Sequence, residues 1–432
     1  MVRWAALTLL VAASLLVVLV ELDVGLAQAS ERDELFGDDL FGDEMLVIDE
    51  DSQADHATLL IAPGSLDLGG RFGLDWEWTH ADADSLVSRQ GASAVGSTRL
   101  YADWRPSAAT RLFVQGDLEL EYPDDGHLKG RLLEWFVDWN ASQKVFFRTG
   151  KQTVRWGVGY FFSPADVISV GRLDPEEPEA LREGPIALRV HYPQRHWDFH
   201  LFTLWDEADD GVRLAVAPRL TFVTGRTEWG LGAFYRPDRV PRAMLTLSST
   251  IAGTVAVFGE AVVAAGTDRR YAVVGEDGRL RAESREDLQL QASVGFRVNR
   301  RDPDRLFTIG AAGQYFYNGE GYKDASVLGH PAFPLLLLSG ELAPADLSQP
   351  GRHYGALSLQ WSELLRTRFS ATSLWLGNLD DASGQVTAQI SHRGWNDIRP
   401  YAGVSWYYGD DMAEFGFSST QWVAGLRYSV TF

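Results

Sequence analysis

The last twelve residues, Gln421–Phe432, alternate in character to the final position. Trp422, Ala424, Leu426, Tyr428, Val430 and Phe432 fall on one side, and Gln421, Val423, Gly425, Arg427, Ser429 and Thr431 on the other. Successive side chains of a strand point to opposite faces, so this segment predicts an apolar face backed by a polar one. Aromatic residues near the ends of the apolar face suit a strand set between lipid and water.

The same period returns along the chain from Leu66. Leu66–Trp78, Arg99–Arg105, Arg111–Tyr122, Leu132–Asn140, Val145–Gly150 and Ile186–Tyr192 alternate, as do Trp197–Asp206, Val212–Val223, Glu228–Tyr235, Leu245–Ile251, Val255–Val263 and Leu288–Val298. Leu306–Tyr317, Gly355–Trp361, Arg368–Leu376, Gln385–Ser391, Pro400–Tyr408 and the terminal strand bring the count to 18, with 16 as the main rival. Connectors supply a parity test. Counting back from the end, every second one is brief (Asn396–Arg399, Glu363–Arg366, Ala252–Thr254, Thr224–Arg226), while those between are generally longer and include Val154–Glu183, Ala265–Asp287 and Asn318–Arg352. Short turns on one side and long loops on the other are expected of a membrane barrel. Lipid supplies no hydrogen-bond partner, so the sheet must close and the strand near Leu66 must pair with the last one. With about 18 strands the interior is too wide for side chains to fill, which predicts an aqueous lumen modified by inward or capping loops.

The terminal strand, with Trp422, Tyr428, Val430 and Phe432, resembles the closing strand of bacterial outer-membrane β-barrels. That resemblance implies outer-membrane lipid and the barrel-insertion machinery, which reads the terminal aromatic residue, as partners. The N-terminus agrees. Arg3, the apolar run Trp4–Val20 and the small-x-small site Ala27-Gln28-Ala29 predict a signal peptide over 1–29. Residues 30–62 form an acidic tail expected to be disordered and periplasmic, and 63–432 the barrel. Between Ser30 and Asp55 eleven Asp or Glu residues face only Arg32, so half of the net charge of −20 sits in this stretch. Its tandem Leu35-Phe36-Gly37-Asp38-Asp39 and Leu40-Phe41-Gly42-Asp43-Glu44 is either a solvated leader or an anchor for a periplasmic partner. The chain contains no cysteine, which excludes lipoprotein attachment and disulfides. No basic surface favours nucleic acid, and no pattern calls for a cofactor.

Parity turns Arg71, Asp75, Arg111, Asp117, Glu119, Glu134, Arg148, Arg189, Arg213, Arg219 and Arg297 toward the lumen. Mixed signs predict a hydrated wall, whose charges also neutralise one another across strands. The run Gly150-Lys151-Gln152, then Trp156-Gly157, then Pro164-Ala165-Asp166, resembles alginate-export-type and uncharacterised porin-like barrel families. The resemblance implies a third outer loop, Val154–Glu183, folded inward as the constriction. Its candidate residues are Arg155, Asp166, Arg172, Asp174, Glu176, Glu177, Glu179 and Arg182. The acidic, proline-stiffened half at Asp174–Glu179 favours cations if it lies in the pore and is a solvated loop if it lies outside.

A second outer loop holds Pro331-Ala332-Phe333-Pro334 followed by Leu335–Leu338, an apolar run expected to pack into the barrel mouth as a lid. Few aromatics clearly face the lumen, so sugar-stacking platforms are not expected. His191, His196, Asp198 and His200 have metal-ligand chemistry on two adjacent strands, but this spacing arises by chance on a polar wall, and no metal is expected. No facing Ser–His pair lies on the lipid side, so enzyme activity is not expected. The reading is a porin-like channel for passive diffusion of small solutes. The alternatives are a channel for hydrophobic compounds gated by residues 331–338, or a non-transporting barrel acting as a surface adhesin or periplasmic-partner anchor.

Overall fold

The computed structural model describes residues 64–81, 91–123, 128–140, 144–168, 173–178, 183–208, 211–251, 255–301, 307–364, 367–394, 397–410, 412–416 and 419–432. The expected signal peptide and acidic tail, with Arg172, Glu179 and Arg182, lie outside these residues.

Among the described residues the chain forms β1 (Leu66–Ala81), β2 (Gly91–Ser107), β3 (Thr110–Tyr122), β4 (Leu128–Asn140), β5 (Phe146–Lys151), β6 (Ile186–Pro193), β7 (Trp197–Ala208), β8 (Gly211–Thr224), β9 (Thr227–Phe234) and β10 (Arg242–Ile251). It continues with β11 (Val255–Ala265), β12 (Arg270–Val274), β13 (Leu280–Ser284), β14 (Leu288–Arg301), β15 (Thr308–Asn318), β16 (His353–Ser362), β17 (Phe369–Asn378), β18 (Ser383–His392), β19 (Ile398–Tyr408) and β20 (Ser419–Thr431). All but β12 and β13 join one 18-stranded sheet of antiparallel neighbours that closes through β1–β20. Each of the eighteen alternating segments in the sequence corresponds to one stave.

The closing seam runs from Ala81 opposite Gln421 to Arg71 opposite Thr431. Beyond it, Gly70 and Phe432 exchange both backbone hydrogen bonds at 2.9 Å, so the C-terminal residue finishes the seam. The outer surface carries the apolar set, with Leu74, Trp76, Trp78, Trp104, Leu118, Trp135, Leu231, Trp361, Trp406 and Trp422 among its exposed residues. A soluble sheet would bury that face; a lipid-facing one exposes it.

Strict alternation is broken in β2, between Trp104 and Ser107, and in β4. In β4 the register slips so that Gln115 faces Glu134 while Gly116 faces Leu132, leaving Leu133 as the extra residue of a bulge. Leu132 and Trp135 thereby both face outward. In the outer loop after β11, β12 and β13 pair as a separate hairpin. The apolar run in the next outer loop forms a short helix, α1 (Phe333–Leu338). Its packing partners lie in the preceding outer loop. Phe333, Leu336 and Leu342 cluster with Ala272 of β12, with Leu280 and Ala282 of β13 alongside. Two loops that each lack a core make one together, which buries Leu336 and part of Leu337 while Leu335 and Leu338 stay exposed.

Candidate functional site

The loop after β5 begins by folding inward, and the motif residues at its start are what turn it. Gly150 has φ 129°, and a Cβ there would sit 2.1 Å from the Trp135 carbonyl oxygen, so only glycine lets β5 leave the sheet at this point. Lys151 pairs with Glu183 at 2.7 Å, closing the neck of the loop. Gln152 is buried and donates to the Ala187 carbonyl of β6 at 3.0 Å. The Trp156 amide donates to Asp166 Oδ1 at 3.3 Å, joining the two ends of the inner turn. At Gly157 a Cβ would lie 1.6 Å from Ser163 Oγ, so the turn doubles back tightly enough to demand glycine again. The porin-like motif is therefore a folding device for the loop rather than a ligand set.

Two lumen-facing side chains on distant strands grip this turn. Glu260 on β11 accepts from the Gly159 amide, from Ser163 Oγ at 3.1 Å and from the Ala165 amide at 2.9 Å. Gln314 on β15 accepts with Oε1 from the amides of Tyr160, Phe161 and Phe162 at 3.1, 2.7 and 3.2 Å. Its Nε2 returns a hydrogen bond to the Phe162 carbonyl at 2.5 Å. A turn without secondary structure has amides to satisfy, and buried ones left unpaired are expensive; Glu260 and Gln314 supply the acceptors.

Apolar contacts complete the seat. Trp156 and Ile168 pack with Ala187, Phe202, Ala215, Ala217, Phe234 and Met244 from β6–β10. Tyr160, Phe161 and Phe162 pack with Phe258, Ala312, Phe316, Tyr354, Ala356 and Leu376 from β11–β17. These lumen-facing aromatics and alanines were not legible as a site in the sequence. The signal was the apolar content of the loop itself, Trp156 and Tyr160-Phe161-Phe162, which needed an apolar bed inside the barrel.

Farther along, the acidic segment reaches the wall beyond. Gln385 Nε2 on β18 donates to Glu176 Oε2 at 3.1 Å. Crowding by the wall raises the Glu176 carboxyl above the ordinary glutamate value, the Gln385 bond pulls it down, and Asp174 and Glu177 add to the rise. Asp174, Glu177 and Arg155 are exposed on the loop surface.

The lumen-facing charges divide into two groups. On β1–β5 and β20 they pair across strands. Arg99 meets Asp117 directly opposite it at 2.8 Å, Arg148 meets Asp138 at 2.6 Å, and Arg427 meets Asp75 at 2.9 Å. Arg111 reaches Asp103 at 3.1 Å, Arg131 reaches Glu119 at 3.2 Å, and Glu134 accepts from the Thr153 amide at 2.6 Å. Arg71 stands opposite Arg99 in the register. On the other strands the arginines meet the loop or its bed: Arg219 lies 5.8 Å from the Trp156 ring, Arg297 4.1 Å from Tyr160 and Arg189 5.9 Å from Phe202. Arg213, at the outer end of β8, pairs with Asp238 at 2.9 Å.

The histidines do not converge. His191 and His200 stack with centroids 4.2 Å apart at 10°, so their in-plane lone pairs run parallel instead of meeting at a point. Arg189 Nε donates to His200 Nδ1 at 3.3 Å, Asp198 lies 3.7 Å from His191 Nε2, and His196 sits exposed in the turn before β7.

No family model and no curated protein matches the sequence. Solved structures do. OccAB1 of Acinetobacter baumannii is 11% identical, with 85% of this chain and 97% of that one covered at a TM-score of 0.49. OccK11 (OpdR) of Pseudomonas aeruginosa is 8% identical, with 86% and 98% covered at 0.49. OpdK of the same organism, solved with vanillate, is 9% identical, with 85% and 99% covered at 0.47.

Proposed function

We propose that this chain is an outer-membrane channel through which small hydrophilic solutes diffuse passively, with the acidic segment at 173–178 biasing the flow toward cations. The closed 18-stranded wall, apolar outside and ionic inside, supports a spanning barrel with a wet lumen. The observation that carries the reading is the bond from Gln385 on β18 to Glu176, on a loop that begins at β5. A loop that leaves one side of the barrel and bonds the inner face of another crosses the lumen. Solutes then pass between it and the ionic sector of the wall. Its carboxylates, Asp174, Glu176 and Glu177, attract cations where the loop meets the wall.

The test is reversal potential in planar bilayers under a potassium chloride gradient. Wild type is expected to conduct steadily with cation preference. The triple variant D174N/E176Q/E177Q is expected to conduct with that preference reduced. A silent wild-type barrel would count against a channel altogether, and an unchanged reversal potential in the triple variant would remove this segment from the selective step.

A further inference from the structure

The two ends of the barrel carry opposite charge. At the short-turn end, the connectors 108–109, 141–145, 194–196, 225–226, 252–254, 302–307, 363–368 and 393–397 hold seven Lys or Arg residues and four Asp or Glu. Arg300, Arg301 and Arg399 stand in the strand ends beside them. The connectors at the opposite end hold 28 Asp or Glu residues and 13 Lys or Arg. One rim is therefore basic and the other acidic. Lys144, Arg195, Arg226, Arg300, Arg368 and Arg393 are exposed and belong to six different turns, so the basic charge runs around the rim instead of forming one patch. A ring of like charges repels itself and attracts a polyanion.

The most acidic stretch of the chain joins the barrel at this same end. The Gly64 amide donates to the Arg105 carbonyl at 2.7 Å, and the Arg105 amide to the Ser65 carbonyl at 3.0 Å, which fixes the root of β1 beside the β2–β3 turn. Ser30–Asp55, with a net charge of −10, is linked to that root by residues 56–63, which contain no Asp, Glu, Lys or Arg. At about 3.3–3.6 Å per residue, residues 30–63 extend to roughly 110 Å. Eighteen strands about 4.8 Å apart and tilted by about 40° make a rim roughly 110 Å around, so the farthest turn lies about 55 Å from the root. Every base on the rim is within reach. Single exposed ion pairs contribute little, but a tethered run of eleven carboxylates meets many bases together at high local concentration. The acidic rim at the other end repels it.

We propose that Ser30–Asp55 docks on the short-turn rim of its own barrel, its carboxylates shared among the exposed basic residues of the turns. The occupant of the basic rim is thus a segment of the same chain. Such a contact depends on the sum of the charges and on ionic strength, not on any one pair. It stands independently of the channel reading, since neither the lumen nor the inward loop takes part.

Electron paramagnetic resonance on the full chain tests the docking. The chain has no cysteine, so Gly42→Cys carries a single spin label within the acidic segment. Nanodiscs of zwitterionic phospholipid keep lipid charge from competing for the rim. In about 0.01 M salt, where the Debye length is about 30 Å, a slow spectral component is expected to dominate; in about 1 M salt, where it is about 3 Å, that component is expected to fall several-fold. The rim variant R195Q/R226Q/R368Q/R393Q is expected to lose most of the slow component even at low salt. Should that variant fail to fold, D38N/D39N/D43N/E44Q removes charge from the segment and leaves the barrel untouched, with the same result expected. A label that is fast at low salt in the otherwise unaltered chain overturns the docking and leaves the rim to lipid phosphates or a separate acidic partner. A slow component that persists through high salt and both sets of substitutions overturns it too, because charge is then not what holds the segment.

Discussion

The two sectors of the barrel wall solve the same problem in opposite ways. From β6 to β17 much of the inner face is small or aromatic, because the inward loop lies on it: Ala187, Ala215 and Ala217 make room for Trp156, and Ala312 and Ala356 for the Tyr160–Phe162 turn. From β20 through β1 to β5 no such cladding is present among the described residues, and the inner face is ionic, with acids and bases set opposite one another. An uncovered wall must satisfy water, and paired charges do so without a large net field. A covered wall must satisfy a loop, and the loop wants an apolar bed with a few fixed acceptors. On the proposed channel function, solutes pass along the uncovered wall, because the covered one is occupied by the loop.

That contrast can be broken most strongly at Gln314. Replacing it with alanine leaves the amides of Tyr160, Phe161 and Phe162 without their acceptor in an apolar cluster, at about 1–3 kcal/mol for each group. The expected result is a loosened loop, seen as higher and noisier single-channel conductance and faster proteolysis within 154–183; wild-type behaviour in Q314A would mean that the apolar bed alone holds the turn. A change of pH sharpens the contrast less drastically. Because the Glu176 carboxyl is raised, it takes up a proton at higher pH than an ordinary glutamate, so cation preference is expected to start fading as pH falls while unperturbed carboxylates remain charged. Reversal potentials measured from pH 8 to pH 4 report this, and E176Q should remove the earliest part of the change. The smallest effect belongs to the ionic sector. Arg99→Ala deletes a partly exposed cross-strand pair, whose loss is expected to cost roughly 0.2–1 kcal/mol in urea unfolding, with little change in loop behaviour. A loss several times larger would show that the uncovered wall is under more strain than its pairing suggests.

Much of the architecture was legible in the chain. Period-two alternation names the outward residues because lipid accepts only one kind of side chain, and the short turns kept the count in phase. The bulge at Leu133 was not legible, since one extra residue between Leu132 and Glu134 leaves a pattern that reads as two acceptable phases. Nor was the hairpin of β12 and β13, whose strands are five residues each and pair only with one another. For the candidate site, the inward-facing charges followed from parity, and the motif from Gly150 to Asp166 marked the loop that matters. Which acid would touch which wall did not follow. Glu176 and Gln385 are 209 positions apart, and Phe162 and Gln314 are 152.

The sequence by itself determined the membrane solvent, the closed sheet and the side of it each strand residue faces. Those properties depend on local period and on the cost of an unpaired edge in hydrocarbon, which every stave feels separately. Phe432 could therefore be read as the end of the closing strand before any pairing was known. Only the tertiary structure decided that the loop after β5 crosses to β18 and that Glu260 and Gln314 hold it. Those contacts join side chains brought together by the curvature of the whole barrel, and nothing in the spacing along the chain encodes a distance across the lumen.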